Sequence, residues 1–337
     1  MKTAVVILNW NGRHHLETFL PSVVKHTHGE DVSVVVADNS STDDSIAFLQ
    51  SAYPQIQLIL LDKNYGYAGG YDLALKQIDA DLYVLMNSDV EVKEGWLAPL
   101  LGLMESEPDV AAVSPKILSY KEPEKFEYAG ASGGFIDYLG YPFCRGRILG
   151  AIERDHGQYD DRREVFWASG ACMAVRADVF KKTGGFDADF FAHMEEIDLC
   201  WRIHLAGYKV MVEPASRVYH LGGGTLPNNN PRKIYLNYRN NLAMLYKNLS
   251  RRSFIPILLM RMILDGISAM AFVFQGHTDF CRSVFKAHVD FHRWRNDLRA
   301  KRTAIQEQRI EPHVKWIYQR SIILRYMAGI RKFGNII

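Results

Sequence analysis

Short apolar runs alternate with amphipathic stretches along the first 120 residues. Lys2–Leu8 predicts a buried strand, and Asn9-Trp10-Asn11-Gly12 leads from it into an amphipathic helix ending near Thr27. Val32–Ala37 predicts a second strand. Its polar exit, Asp38 to Asp44, carries Ser, Asn and Asp side chains suited to cap a helix over about Ser45–Ser51. Ile56–Leu61 reads as a third strand, followed by the glycine-rich stretch Asn64–Gly70 and a helix through about Ile78. Leu82–Met86 is apolar at every position, as a strand buried on both faces should be, and it stops abruptly at Asn87-Ser88-Asp89. Val110–Val113 predicts a fifth strand. This alternation implies an α/β fold with a mostly parallel sheet flanked by helices.

Open α/β sheets bind ligands beyond the carboxyl ends of their strands, where Asp38 and Asp89 fall. Asp38 either caps the next helix or hydrogen-bonds a nucleobase or ribose. Asp89 either begins a turn or holds a hard divalent cation, Mg²⁺ or Mn²⁺, together with substrate phosphates. The glycines near Gly66 do not spell GxGxxG, so a dinucleotide fingerprint is absent, although they permit a helix N-terminus to face a diphosphate.

The texture changes over residues 126–150 to Gly, Tyr and Phe, which predicts loops and short strands, a candidate flap in which Arg145 and Arg147 are available to phosphates. Phe166–Val175 returns to a buried strand. Trp167 there is either core or a wall for a sugar, for which the neighbouring Gly170 leaves room. Residues 184–210 end in a helix with Ile197, Trp201 and Leu205 on one face and Gly207 as its cap. Glu195, Glu196 and Asp198 crowd its first turn. The helix dipole favours acids there, and a half-apolar setting behind Phe190-Phe191 also suits a catalytic base. His220, followed by glycines, either caps a strand or completes a metal shell with Asp89. Basic and tyrosine residues from Arg232 to Arg239 either face solvent or reach a diphosphate or acceptor.

Charge separates the chain into two parts. Residues 232–337 carry about twenty Lys and Arg against about six Asp and Glu, leaving the first 231 residues net acidic by roughly twelve. A basic tail of this kind implies a polyanionic surface partner. Phe254–Phe274 has the length of a membrane span, but Arg261 and Asp265 interrupt it at helical i, i+4 spacing. That favours a helix lying in the membrane interface or packed on the catalytic domain. Arg282–Arg302, with Phe285, Phe291 and Trp294 interleaved, fits an anionic membrane surface. No RNA-binding motif accompanies it, so a nucleic-acid partner is not expected. Four widely spaced cysteines without a CxxC pair imply reduced thiols, and the start of the chain lacks a signal-peptide pattern. Both point to a cytoplasmic location.

Seven segments in fixed order carry a resemblance: VVILNWNG (5–12), ADNSSTDDS (37–45), NYGYAGGYDLAL (64–75), VLMNSDVEV (84–92), WASGACMAV (167–175), GGFDADFFAHMEEIDLCWR (184–202) and HLGGGT (220–225). Together they make the chain resemble a family 2 glycosyltransferase of GT-A fold, in the bacterial rhamnosyltransferase-like branch. The resemblance implies a catalytic domain over 1–245, and the charge and amphipathic pattern marks residues 246–337 as a basic, amphipathic helical region that associates with the inner face of the cell membrane. It implies that Asn9 and Asp38 hold the nucleoside, and that Asn64 and Gly66 lie against the donor ribose or diphosphate. Asn87 and Asp89 would stand in the DxD position, with Asp89 and His220 as metal ligands. Glu196, beside Glu195, would be the base. Two departures are visible: Asn87 replaces the first Asp of DxD, and Glu196 replaces an Asp. The implied activity is inverting transfer of a sugar from a nucleotide-sugar donor, dTDP-rhamnose or a UDP-hexose, to a glycan or lipid-linked acceptor in cell-surface polysaccharide synthesis. A sugar-phosphate nucleotidyltransferase, needing no base at Glu196, and a non-catalytic nucleotide-sugar-binding subunit are the alternatives.

Overall fold

The structure, a computed structural model, describes residues 1–222, 230–311 and 314–336. Gly223, Gly224 and Thr225 of the HLGGGT segment lie outside the described residues. Strands β1 (Thr3–Asn9), β2 (Val32–Asp38), β3 (Gln57–Leu60) and β4 (Leu82–Asn87) form a parallel block, joined by helices α1 (Arg13–His26), α2 (Ser45–Ala52) and α3 (Gly66–Leu75). β5 (Val90–Val92), α4 (Ala98–Ser106) and β6 (Val110–Ser119) follow. Next come the short strands β7 (Gly134–Asp137), β8 (Pro142–Cys144), β9 (Arg147–Ile148), β10 (Ala151–Ile152) and β11 (Arg163–Glu164). β12 (Cys172–Arg176), α5 (Ala177–Lys182), α6 (Glu195–Leu205) and β13 (Lys209–His220) complete the main layer.

The main sheet has nine strands in the order β11-β13-β6-β12-β4-β1-β2-β3, with β5 paired to β13. β12 is wedged antiparallel between β4 and β6, while β13 runs parallel to β6. The sheet is therefore mixed and mostly parallel, with only β5, β11 and β12 running against the other six strands. Pleating sends alternate side chains of β1 to opposite faces. Val5 and Ile7 pack under Leu16, Leu20 and Leu100 from α1 and α4. Ala4 and Val6 share the other core with Tyr71 of α3 and Ile197 of α6.

Two predicted strands have different limits. β6 continues past the polar residues that end the apolar run to Ser119, with Lys116 buried against Asp155 and Asp160. The Phe166–Val175 run is strand only from Cys172, because the chain bends through Trp167–Ala171. The 126–150 segment contributes β7, β8 and β9 to a second sheet, β10-β9-β8-β7-β14, whose last strand β14 (Ile317–Tyr318) comes from far along the chain. Phe135 and Phe143 stack within it, and Phe333 and Tyr159 pack on them tilted and edge to face, so this region is a packed layer rather than a flap.

The C-terminal part is helical: α7 (Pro231–Asn248), α8 (Phe254–Phe274), α9 (Thr278–Glu307) and α10 (Ile322–Met327). The 245/246 division falls inside α7. Lys247 of its last turn reaches Asp187 at 2.6 Å and Asp198 at 2.9 Å, joining that helix to α6 and to the segment ahead of it.

Candidate active site

β4 ends at Asn87, and the chain turns at once into β5, whose Val90 pairs with His220 at the end of β13. That register sets Asp89 Oδ1 3.1 Å from His220 Nε2, with the Asn87 amide 3.3 Å from the same nitrogen. On the other side of the ring, His220 Nδ1 lies 3.3 Å from Glu127 Oε2. All three ionisable residues are nearly buried. Burial opposes a charged imidazole, but the Asp89 and Glu127 carboxylates outweigh it and raise His220 to about 10. Burial likewise opposes ionisation of Asp89, and the neighbouring His220 overrides it, leaving the carboxyl below its ordinary value.

The donor set suits a hard divalent ion: a carboxylate and an imidazole 3.1 Å apart, close enough to be adjacent ligands, with a side-chain amide beside them. With a metal on Nε2, the Glu127 carboxylate 3.3 Å from Nδ1 would be the outer partner of the ring. Among the described residues no group of three or more His, Cys, Asp or Glu gathers as a ligand set, so substrate phosphate and water oxygens would complete the shell.

The carboxylate pair opens α6 directly after a bent loop. Phe191, His193 and Met194 all have positive φ (64°, 72° and 72°), a left-handed conformation unfavourable for non-glycine residues. α6 begins at Glu195 immediately after it. Asn240 of α7 holds the loop, its amide nitrogen donating to the Phe190, Ala192 and His193 carbonyls at 2.9, 2.9 and 2.8 Å. Arg239 adds bonds to the Asp189 and Phe190 carbonyls. Glu195 is buried and Glu196 partly so, and each has one enclosed oxygen without a protein partner. Burial pushes Glu196 up to about 7. Burial and the charge of Glu196 push Glu195 well above its ordinary value. Two carboxyls whose proton affinities are driven up together suit one proton-accepting role near neutrality. A methyl group on Gly170 would lie 2.9 Å from the Tyr67 hydroxyl and 3.7 Å from Glu196 Cβ, so the Gly170 turn runs close beside the pair.

Asn9 and Asp38 end β1 and β2 side by side. Asn9 Nδ2 donates to Asp38 at 2.9 Å, Asp38 also accepts from the Ser41 amide, and the buried Asn9 Oδ1 has no protein partner. Asn64 receives the Gly66 amide at 2.8 Å, and Asn39 bridges Asn64, the Tyr65 amide and the Gly66 carbonyl. Gly66 itself has φ +72°, and a side chain there would strike Phe191. Its close approach is thus to the loop ahead of the carboxylates. Trp167 is in the core, with its indole N–H on the Phe135 carbonyl at 2.9 Å and Gly134 against its ring; only 3 % of it is exposed, so it has no face free for a donor.

Of the basic residues read as phosphate candidates, Arg145 pairs with Asp161, and Arg147 is buried with hydrogen bonds to Cys144 and Leu149. Tyr235 and Tyr238 bond Asp290 and Ser268, and Arg232 stacks 4.6 Å from the Phe191 ring. Asp198 is structural, tied to Arg202, Lys247 and Asn248. Sequence reading missed Glu127, Asn39 and Asn240. For Asn240 a signal existed, since paired asparagines are poor residues for a helix interior unless their side chains are used.

The model of Glycosyl transferase family 2 matches residues 4–184. The chain is 31 % identical over 234 residues to the N-acetylglucosaminyl-diphospho-decaprenol L-rhamnosyltransferase of Mycobacterium tuberculosis, covering 64 % of this chain and 75 % of that protein. In fold it is similar to Staphylococcus aureus TarS 1–349 in complex with UDP-GlcNAc (TM-score 0.57, 14 % identity, 98 % of this chain and 92 % of that one). It is also similar to the mannosyltransferase PcManGT of Pyrobaculum calidifontis in complex with GDP-Man and Mn²⁺ (TM-score 0.52, 16 % identity, 91 % and 86 %). With more than half of its length inside the family match, and a relative 31 % identical of which it covers 75 %, this chain belongs to the family 2 glycosyltransferases, in their rhamnosyltransferase-like branch.

Proposed function

We propose that this glycosyltransferase moves a deoxyhexosyl or hexosyl group from a nucleotide-diphosphate donor, dTDP-rhamnose or a UDP-hexose, to a hydroxyl of a lipid-linked glycan. The work would take place at the cytoplasmic face of the membrane during cell-surface polysaccharide synthesis. The carrying observation is the carboxylate pair at the start of α6, where Glu196 is raised to about 7 directly after a loop held in an unfavourable backbone conformation. The Mycobacterium relative, whose name specifies a diphospho-decaprenol acceptor and L-rhamnose, supports the acceptor and donor class.

Glu196 accepts the proton of the acceptor hydroxyl as that oxygen attacks the anomeric carbon. The bond from that carbon to the phosphate oxygen breaks on the opposite face, and the nucleoside diphosphate leaves with the electron pair. Glu195 holds its proton and keeps a second negative charge away from the base. One displacement inverts the anomeric configuration. Asn9, Asp38 and Asn64 line the strand ends where the nucleoside would bind. Asp89 and His220, with Asn87 beside them, would hold Mg²⁺ or Mn²⁺, and a bound ion neutralises the charge of the leaving diphosphate. Incubation of the full chain with dTDP-rhamnose and a panel of UDP- and GDP-sugars, with Mn²⁺ or with chelator, tests the reading. Metal-stimulated turnover of one donor, increased by a lipid-diphosphate acceptor, is expected. No turnover of any donor with acceptor and metal present would overturn it.

A further inference from the structure

Helix α8 is built inside out. Apolar Ile255, Leu259, Ile263, Ile267, Met270 and Phe274, spaced four, four, four, three and four residues apart, form a stripe exposed along its whole length. The charged residues face inward: Leu258, Arg261 and Asp265 are the buried positions of the helix. Arg261 bonds Asp265 at 2.8 Å and the Leu139 carbonyl at 3.2 Å, and its guanidinium lies 3.7 Å from the centre of the Tyr141 ring. His288 of α9 reaches the other Asp265 oxygen at 3.2 Å, and Ser268 bonds Tyr238 of α7 at 2.6 Å. A surface helix in water turns its polar side outward; this one does the reverse, as a helix facing hydrocarbon would.

The helix is long and apolar enough to cross a membrane. Crossing would tear Arg261 and Asp265 from their partners on α9 and on the second sheet, or draw the charged α9 into hydrocarbon with it. Lying flat breaks no contact and covers the stripe. Arg251 and Arg252 stand exposed at its N-terminal end, and the surrounding C-terminal region is strongly basic, which matches an anionic lipid surface better than a second equally basic copy of the chain.

We infer that the outer face of α8 lies flat within one leaflet of an anionic bilayer, docking the enzyme as a monotopic protein. This deepens the membrane-acceptor reading and rests on it, but it is tested by binding alone, so that its failure is separable from failure of the catalytic assignment. Full-length protein would be floated with vesicles of pure phosphatidylcholine and of phosphatidylcholine with 30 % phosphatidylglycerol, where that percentage is roughly the anionic share that engages basic protein surfaces. Wild type is expected to float with the anionic vesicles, and Ile263→Glu/Ile267→Glu to bind at least about tenfold more weakly with an unchanged melting temperature. Ile263→Trp fluorescence should be quenched by lipids brominated in the acyl chain near the headgroup more than by lipids brominated near the bilayer centre. No vesicle binding by wild type would overturn the inference. So would deepest quenching at the bilayer centre, or a wild-type dimer that the Glu variant splits without any change in flotation.

Discussion

Replacing Asn240 with alanine tests whether the loop ahead of the carboxylates is held from outside. Asn240 is fully buried, and its two amide protons serve three carbonyls, of Phe190, Ala192 and His193. At about 1 kcal/mol net per bond, two protons are worth ~2 kcal/mol, and the orphaned carbonyls add to the loss. The left-handed residues Phe191, His193 and Met194 each cost roughly 1–2 kcal/mol relative to ordinary backbone. Without the clamp, relaxation of even one of them recovers a comparable energy, so the loop should move. Glu196 begins two residues beyond it, and displacement of a catalytic group by about 1 Å lowers rate by ~10². The expected result for Asn240→Ala is kcat reduced about 100-fold, donor affinity kept within about twofold, and a melting temperature lower by roughly 5 °C. Asn240→Asp, isosteric but unable to donate, should be at least as slow. Either variant retaining wild-type kcat with intact donor binding would refute the reasoning.

Glu196 works as a base only when ionised, so kcat should rise about tenfold per pH unit below about 7 and level off above it, and a flat profile across that range would contradict the assignment. Because Glu196 holds its proton more tightly folded than unfolded, it favours the folded state below the unfolded value near 4.5, and that contribution is lost as pH rises through about 7; urea titrations of wild type and Glu196→Gln should diverge across this window. Lys247→Met leaves Asp187 and Asp198 short of their shared buried cation and should destabilise the chain by about 3 kcal/mol in urea unfolding, with a loss under about 1 kcal/mol counting against the network. Glu127→Gln should weaken Mn²⁺ binding in the presence of nucleotide by about 10–100-fold by calorimetry, and unchanged affinity would remove Glu127 from the metal assembly.

The parallel block was legible because Leu82–Met86 and its partners are continuous apolar runs cut by polar residues at the strand ends, which is the pattern a doubly covered strand imposes. β12 was not, because nothing in an apolar run states its direction, and its antiparallel insertion is fixed by where α5 and the β12–β4 register return the chain. The second sheet draws β14 from 180 residues beyond β7, a pairing beyond the reach of local pattern. Within the site, Asp89, His220, Glu195 and Glu196 followed from strand-end and helix-start positions. Glu127 has no motif and acquires its place only through the fold. Trp167 stays open in the sequence between core and a wall for a sugar, because an aromatic beside a glycine fits a ligand as well as a neighbouring side chain, and the contact of Gly66 with the donor is what the resemblance implies.

The most direct test follows the anomeric proton by NMR during transfer from the accepted donor to a lipid-diphosphate glycan, with wild type and Glu196→Gln compared. An inverted product from wild type, and a rate at least ~10³ lower in the variant with donor binding preserved, is the predicted result. Retained configuration, or a variant that transfers at the wild-type rate, would contradict the single displacement with Glu196 as its base.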